Sequence, residues 1–277
     1  MKKVLKTLGF VIGLPLLYMF ISTLVSGVYV GVYYIINQVG PDTFNILEIL
    51  TPVIYHLTII SDLITFIIIF FIFLGLKKNL FKVCRFNKVN LKVLFYMIVF
   101  SIGLSMLILF SMLILTPLFP NIFEGYSLVQ KSLLLTHNSI LSLIIVIVLI
   151  PIFEEIFFRG VIFGFLRDNY SIPLALVLQA FIFAICHYNL IQGIYAFILG
   201  LFLGIFFYVT NSLYASLVAN ITYKFFGVFV IPLIISYLQS APLMVMNILF
   251  IIVSVVLLIL GSHKLIKSFQ KDSSLYY

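Results

Sequence analysis

The chain has 277 residues, 64% of them hydrophobic and 9% charged, with formal net charge +8 and mean hydropathy +1.30. That composition excludes a water-soluble core and leaves an all-α, polytopic membrane helix bundle of about eight transmembrane helices. The basic residues fall in blocks at helix ends, which fits the positive-inside bias and not nucleic-acid binding.

The chain opens on Met1-Lys2-Lys3-Val4-Leu5-Lys6 and an apolar run. This resembles a signal peptide, but the run passes Tyr34 without a small-x-small cleavage site, so an uncleaved first span is expected. Spans are predicted at 8–36, 53–76, 91–116, 139–166, 172–190, 193–209, 212–235 and 242–263. Turn chemistry separates them at Gly40-Pro41-Asp42, Thr116-Pro117, Asp168-Asn169-Tyr170-Ser171 and Ala241-Pro242. The fifth, sixth and seventh spans have very short links and must pack antiparallel. No polar stretch has room for a soluble domain, so 1–277 reads as one membrane domain. It divides into N-terminal helices (1–138), a core (139–235) and a tail (264–277) that frays from Ser268.

Lys2, Lys3 and Lys6 fall on one side, with Lys77, Lys78, Lys82, Arg85, Lys88 and Lys92, then Arg167, then Lys264, Lys267 and Lys271. Asp42, Glu48, Glu124 and Lys131 fall on the other. An even number of spans then puts both termini in the cytoplasm, with the chain multi-pass in a bacterial cell membrane. Cys84 lies in a basic loop and Cys186 in an apolar run, so no disulfide between them is expected.

The chemistry concentrates at Glu154-Glu155-Ile156-Phe157-Phe158-Arg159, after an uncharged run from Ser139 to Phe153. Each charge at the centre of a span costs roughly 2.5–3.5 kcal/mol, so an intramembrane acidic pair marks a functional site by default. Glu155 and Arg159 are four apart on one helix face and read as an internal ion pair. His187, taken as lying inside the fifth span, falls at the depth of Glu154 in an antiparallel hairpin turning near residue 170. Asn220 and Lys224, again four apart, reach the same depth on the seventh span. Each has a structural reading beside the functional one: interhelical glue for Asn220 and His187, snorkelling for Lys224. With Arg159 on Glu155, Glu154 is left as the expected partner of Lys224. Cys186 reads as a buried apolar residue, and Gly200-x-x-x-Gly204 as close helix packing.

Glu154-Glu155-x-x-x-Arg159 followed by Phe183-x-x-x-His187 resembles the first two motifs of the CAAX-protease and bacteriocin-processing family, also called abortive-infection proteins. These are intramembrane endopeptidases that include the type II prenyl-protein proteases. The resemblance covers roughly 139–235. The family's third motif, His-x-x-x-Asn, is replaced here by Asn220 and Lys224. The resemblance implies peptide hydrolysis with Glu154 as general base, water held with His187, and the third-motif pair stabilising the oxyanion. No cofactor is expected. Zinc needs three protein ligands, and the missing second His disfavours it.

The expected function is therefore intramembrane endopeptidase action on a membrane-embedded or lipid-proximal protein or peptide. The alternative is a catalytically silent family member that engages a membrane-protein partner as scaffold, regulator or bacteriocin self-immunity protein. A transporter with charges at the membrane midplane is weaker, because no Gly/Pro-broken helix pair repeats across two halves.

Overall fold

The computed structural model describes residues 2–38, 46–123, 126, 131–133, 139–237 and 243–273. Gly40-Pro41-Asp42, Glu124, His137, Ala241-Pro242 and residues 274–277 lie outside these. Among the described residues the chain is helical and has no strand. Eight longer helices, α1 to α8, run in chain order: Leu5–Asn37, Ile54–Gly75, Leu91–Leu118, Ile140–Asn169, Ile172–Ile185, Leu190–Thr210, Leu213–Tyr237 and Leu243–Ser273. Seven of them are long and apolar enough to cross a membrane, so the chain is a multi-pass membrane protein.

The fifth predicted span is shorter than expected. α5 has 14 residues, about 21 Å at 1.5 Å per residue, well under a full crossing. It ends at Ile185 because the backbone turns: Tyr188 has φ 56°, in the left-handed region. Asn189 then caps α6, its side chain accepting from the amides of Ile191 and Gln192. Similar caps start other helices. Asn90 opens α3 and Ser212 opens α7, each accepting a backbone amide of its first turn. At the other end of the chain, α8 runs on through Ser268 to Ser273, past the predicted fraying point.

One end of the bundle is tied by polar contacts. Arg85 donates to Asp168 at 2.9 Å and to Asn211 at 3.1 Å. Asn87 donates to the Asn211 carbonyl at 2.6 Å. The Thr7 and Tyr170 hydroxyls are 2.7 Å apart. These contacts place the start of α1, the 77–90 loop, the end of α4 and the end of α6 together. At α8, a Cβ on Gly261 would sit 2.9 Å from the Cβ of Phe100, so the late part of α8 lies against the early part of α3. The blocks around Lys6, Lys77 to Lys92, Arg167 and Lys264 thus gather at one end. α5 leaves that end and α6 returns to it.

The bundle is apolar outside and polar inside. Phe20, Leu24, Ile67, Phe71 and Ile252 are exposed, as lipid-facing residues are, while Asp62, Glu154, Glu155, Arg159, Gln179 and Asn220 are buried. The core around them is aromatic: Phe153 stacks on Phe157, and Phe158 meets Phe183 edge-on.

Candidate active site

α4 carries the acidic pair and is not a regular helix. Ile150 N–H bonds the Ile145 carbonyl five residues back, and a second wide, π-helical stretch covers Glu155–Phe163. Pro151 lies between them and has no amide hydrogen, so the ordinary ladder is already interrupted there. Wide turns of this kind are frequent at functional sites, and this chain has others at Gly9–Gly13 and Phe225–Val230. Here the interruption falls at the Glu154–Glu155 step.

α7 and α4 itself supply the donors to those carboxylates. Lys224 Nζ donates to Glu154 Oε1 at 2.8 Å. Asn220 Nδ2 donates to Glu154 Oε2 at 3.0 Å and to Glu155 Oε1 at 2.8 Å. Arg159 Nη1 donates to the same Glu155 Oε1 at 3.1 Å. One amide thus spans two neighbouring carboxylates, and each carboxylate has its own cation. That balance is what two adjacent buried charges require. α7 is held in register by Ser105 of α3, whose hydroxyl donates to the Tyr223 carbonyl at 3.0 Å.

Arg159 is fully buried. Its guanidinium lies 4.4 Å from the centroid of the Phe183 ring, and its Nη2 faces the Gly200 carbonyl at 3.4 Å. The same ring meets His187 edge-on at 4.8 Å, and the Phe183 carbonyl accepts from His187 Nδ1 at 2.8 Å. A carbonyl can only accept, so Nδ1 carries the proton and Nε2 is left as the acceptor of the neutral ring. Phe183 therefore joins Arg159 to His187, which explains why Phe stands four residues before His.

The expected site residues come together, with one correction to their setting. His187 is not inside a span. It sits in the turn between α5 and α6, half-buried, after the helix has ended. His187 still reaches the depth of Glu154, because Glu154 is about 22 Å along α4 from its Asn169 end and α5 is about as long. Irregular backbone at membrane depth is tolerated where it is packed within protein. His187 makes no hydrogen bond to Glu154 but lies within electrostatic reach of it.

The glycines have specific neighbours. A Cβ at Gly160 would stand 2.5 Å from Cys84 Sγ, so the step after Arg159 must be glycine for the 80–84 segment to pack there. Cβ atoms at Gly200 and Gly204 would stand 3.1 Å from Ala180 Cα and 2.6 Å from Gln179 Nε2. This is the close packing that the spacing predicts, and it also seats Gln179, which donates to the Gly200 carbonyl at 2.8 Å. Cys84 and Cys186 are both free.

Two buried residues with a carboxylate or amide head escape the sequence reading. Gln179 is one. Asp62 on α2 is the other, fully inside the bundle and within electrostatic reach of Glu154 and Lys224. Treating Glu154 and Glu155 as the only acids of the helical core omits it, although it falls within the predicted 53–76 span. The signal was the same one that singles out Glu154: an acid inside an uncharged apolar run.

The charges around Glu154 leave it no open lone pair directed to a shared ion. Glu154 is capped by an ammonium and an amide N–H, and among the described residues no group of three His, Cys, Asp or Glu could hold a metal.

No curated protein and no solved structure matches the chain. A family model does match: type II CAAX prenyl endopeptidase, Rce1-like, over residues 136–226. That stretch is about a third of the chain and contains all six candidate site residues, Glu154, Glu155, Arg159, His187, Asn220 and Lys224. The match falls on the helices that carry the two motifs, and over this core the chain is similar to the CAAX-protease family.

Proposed function

We propose that this chain is an intramembrane endopeptidase of the CAAX-protease type, with Glu154 as general base and Lys224 holding that base at rest. The observation that carries this reading is the Lys224 Nζ to Glu154 Oε1 contact at 2.8 Å. Glu155 and Arg159 build the frame. They fix α4 against α5 and α6 and pair off Glu155, which leaves Glu154 as the carboxylate that meets Lys224. His187, with Nδ1 fixed on the Phe183 carbonyl, supplies Nε2 as an acceptor to orient a water. Asn220 has both amide hydrogens on the two carboxylates at rest, and the one on Glu154 turns to a developing oxyanion only when Glu154 takes up a proton and releases it. Hydrolysis then needs Lys224 to leave Glu154. A carboxylate that already accepts from an ammonium and an amide is a poor base until one of them is displaced. The substrate is a membrane-embedded or lipid-proximal peptide segment, and a prenylated one is not implied by the residues of the site.

The test is incubation of the purified protein with a membrane-peptide library, beside Glu154→Gln, with products read by mass spectrometry. Cleavage by the wild type and none by Glu154→Gln is the expected result. Equal cleavage by both removes Glu154 from the chemistry.

A second reading has a specific observation behind it. With Lys224 on one oxygen of Glu154 and Asn220 on the other, the base is fully engaged, which is also how a silent member that only binds a membrane partner would hold it. In that case neither wild type nor Glu154→Gln cleaves, while both remain folded.

A further inference from the structure

Asp62 is buried to 1% exposure, and neither of its carboxylate oxygens has a hydrogen-bond partner. Buried polar groups are almost always satisfied, so an orphaned carboxylate in the middle of a membrane bundle needs an explanation. The groups around it are few. The Tyr18 hydroxyl of α1 is turned to it as a neutral donor that falls short of full hydrogen-bond geometry and carries no charge to balance a carboxylate, and Tyr18 in turn packs on Phe153 and Phe157 of α4. Glu154 and Lys224 are the charged groups within electrostatic reach. Arg159 is committed to Glu155. Lys224 is therefore the cation that faces two carboxylates, one that it bonds and one that it does not.

We propose that Asp62 is a positioning residue for Lys224: the second carboxylate that receives the Lys224 ammonium when it leaves Glu154. A lysine on a four-carbon stem has the reach and the rotatable donors for such a transfer, where a planar guanidinium would not. Without a second acceptor, releasing Glu154 would strand an ammonium in the bundle, at the cost that makes intramembrane charges rare. With Asp62 in place, Lys224 stays paired in both positions, and Glu154 is free to take a water in one of them. The consequence for catalysis rests on the endopeptidase reading above. The pairing of Asp62 with Lys224 does not.

The experiment is therefore run on folding and not on cleavage. Asp62→Asn, Glu154→Gln, the double variant and the double variant carrying Lys224→Met are purified in detergent, and their folded yield and thermal midpoint are compared. Either single change leaves Lys224 one carboxylate, so each single variant stays near wild type. The double variant strands the ammonium and falls about tenfold or more below the product of the two single effects, since residues sharing one partner are not additive. Lys224→Met in the double background restores the yield, because it removes the stranded charge. Additive losses, or a double variant that Lys224→Met does not rescue, overturn the proposal. If Asp62→Asn alone fails to fold, Asp62→Asn with Lys224→Met decides: recovery supports the pairing, and continued failure assigns Asp62 to packing against Tyr18. A chain that never cleaves peptide but shows this coupling would refute the endopeptidase reading and leave the Asp62 pairing standing.

Discussion

Arg159→Ala should prevent stable folding, and the reasons can be taken contact by contact. The guanidinium is fully buried, donates to Glu155 at 3.1 Å and lies 4.4 Å from the Phe183 ring centroid. Removing it leaves Glu155 without a cation of its own, held by the neutral Asn220 amide at 2.8 Å. Breaking one partner of a buried ion pair costs about 3–5 kcal/mol. Loss of the desolvated cation–π contact adds up to about 2 kcal/mol. A typical domain holds only about 5–15 kcal/mol in total, so most of the population should misfold. Arg159→Lys keeps the charge but loses the planar contact with Phe183 and should lie between. The assay is the fraction of monodisperse protein after mild detergent extraction. An Arg159→Ala yield within about twofold of wild type, where a tenfold loss would correspond to only about 1.4 kcal/mol, would refute the claim that Glu155–Arg159 frames the site.

Glu154→Gln keeps the size and the Asn220 contact, so its thermal midpoint should stay close to wild type, unlike Arg159→Ala; equal losses in the two would end the division between frame and chemistry. Gly160→Ala places a Cβ 2.5 Å from Cys84 Sγ and should cost about 1–3 kcal/mol, read as a lowered melting temperature; Cys84→Ala in that background should return part of it. Burial pushes the Cys84 thiol up to about 12, so it should resist alkylation at pH 8 until the protein is unfolded. The same shift makes the folded state the better proton binder above the ordinary thiol value of about 8.5, so its contribution to stability is lost as pH rises beyond that point. A reporter fused after Tyr277 should read out as cytoplasmic, because the basic blocks share one end of the bundle; an extracytoplasmic readout contradicts the orientation.

The pattern of apolar runs and basic blocks made the bundle legible, since lipid exposure demands both and little else in the chain competes with them. Glu154, Glu155 and Arg159 stood out because charges in an apolar run have no bland surface explanation. Their pairing followed from helical spacing alone. The Glu154–Lys224 contact also followed, once Arg159 had been assigned to Glu155. What stayed hidden depended on backbone detail and on distant segments. The end of α5 at Ile185 rests on a left-handed Tyr188 and the Asn189 cap, and an apolar run gives no sign of where it will turn. The role of Gly160 needed Cys84, 76 positions earlier, to be placed against it. Asp62 was legible by the rule applied to Glu154, but its relation to Lys224 appears only when α1, α2, α4 and α7 close around one point.

The central claim is that Lys224 holds Glu154 in a peptidase core, and the most direct test restores the family's third motif. The measurement is the rate at which purified Asn220→His/Lys224→Asn and wild-type protein cleave the same membrane peptide. General acid–base groups contribute about 10²–10⁴-fold, so freeing the base should raise the rate by at least about tenfold in the double variant. A double variant that cleaves more slowly than a well-cleaving wild type would make Lys224 a working oxyanion donor and contradict the account.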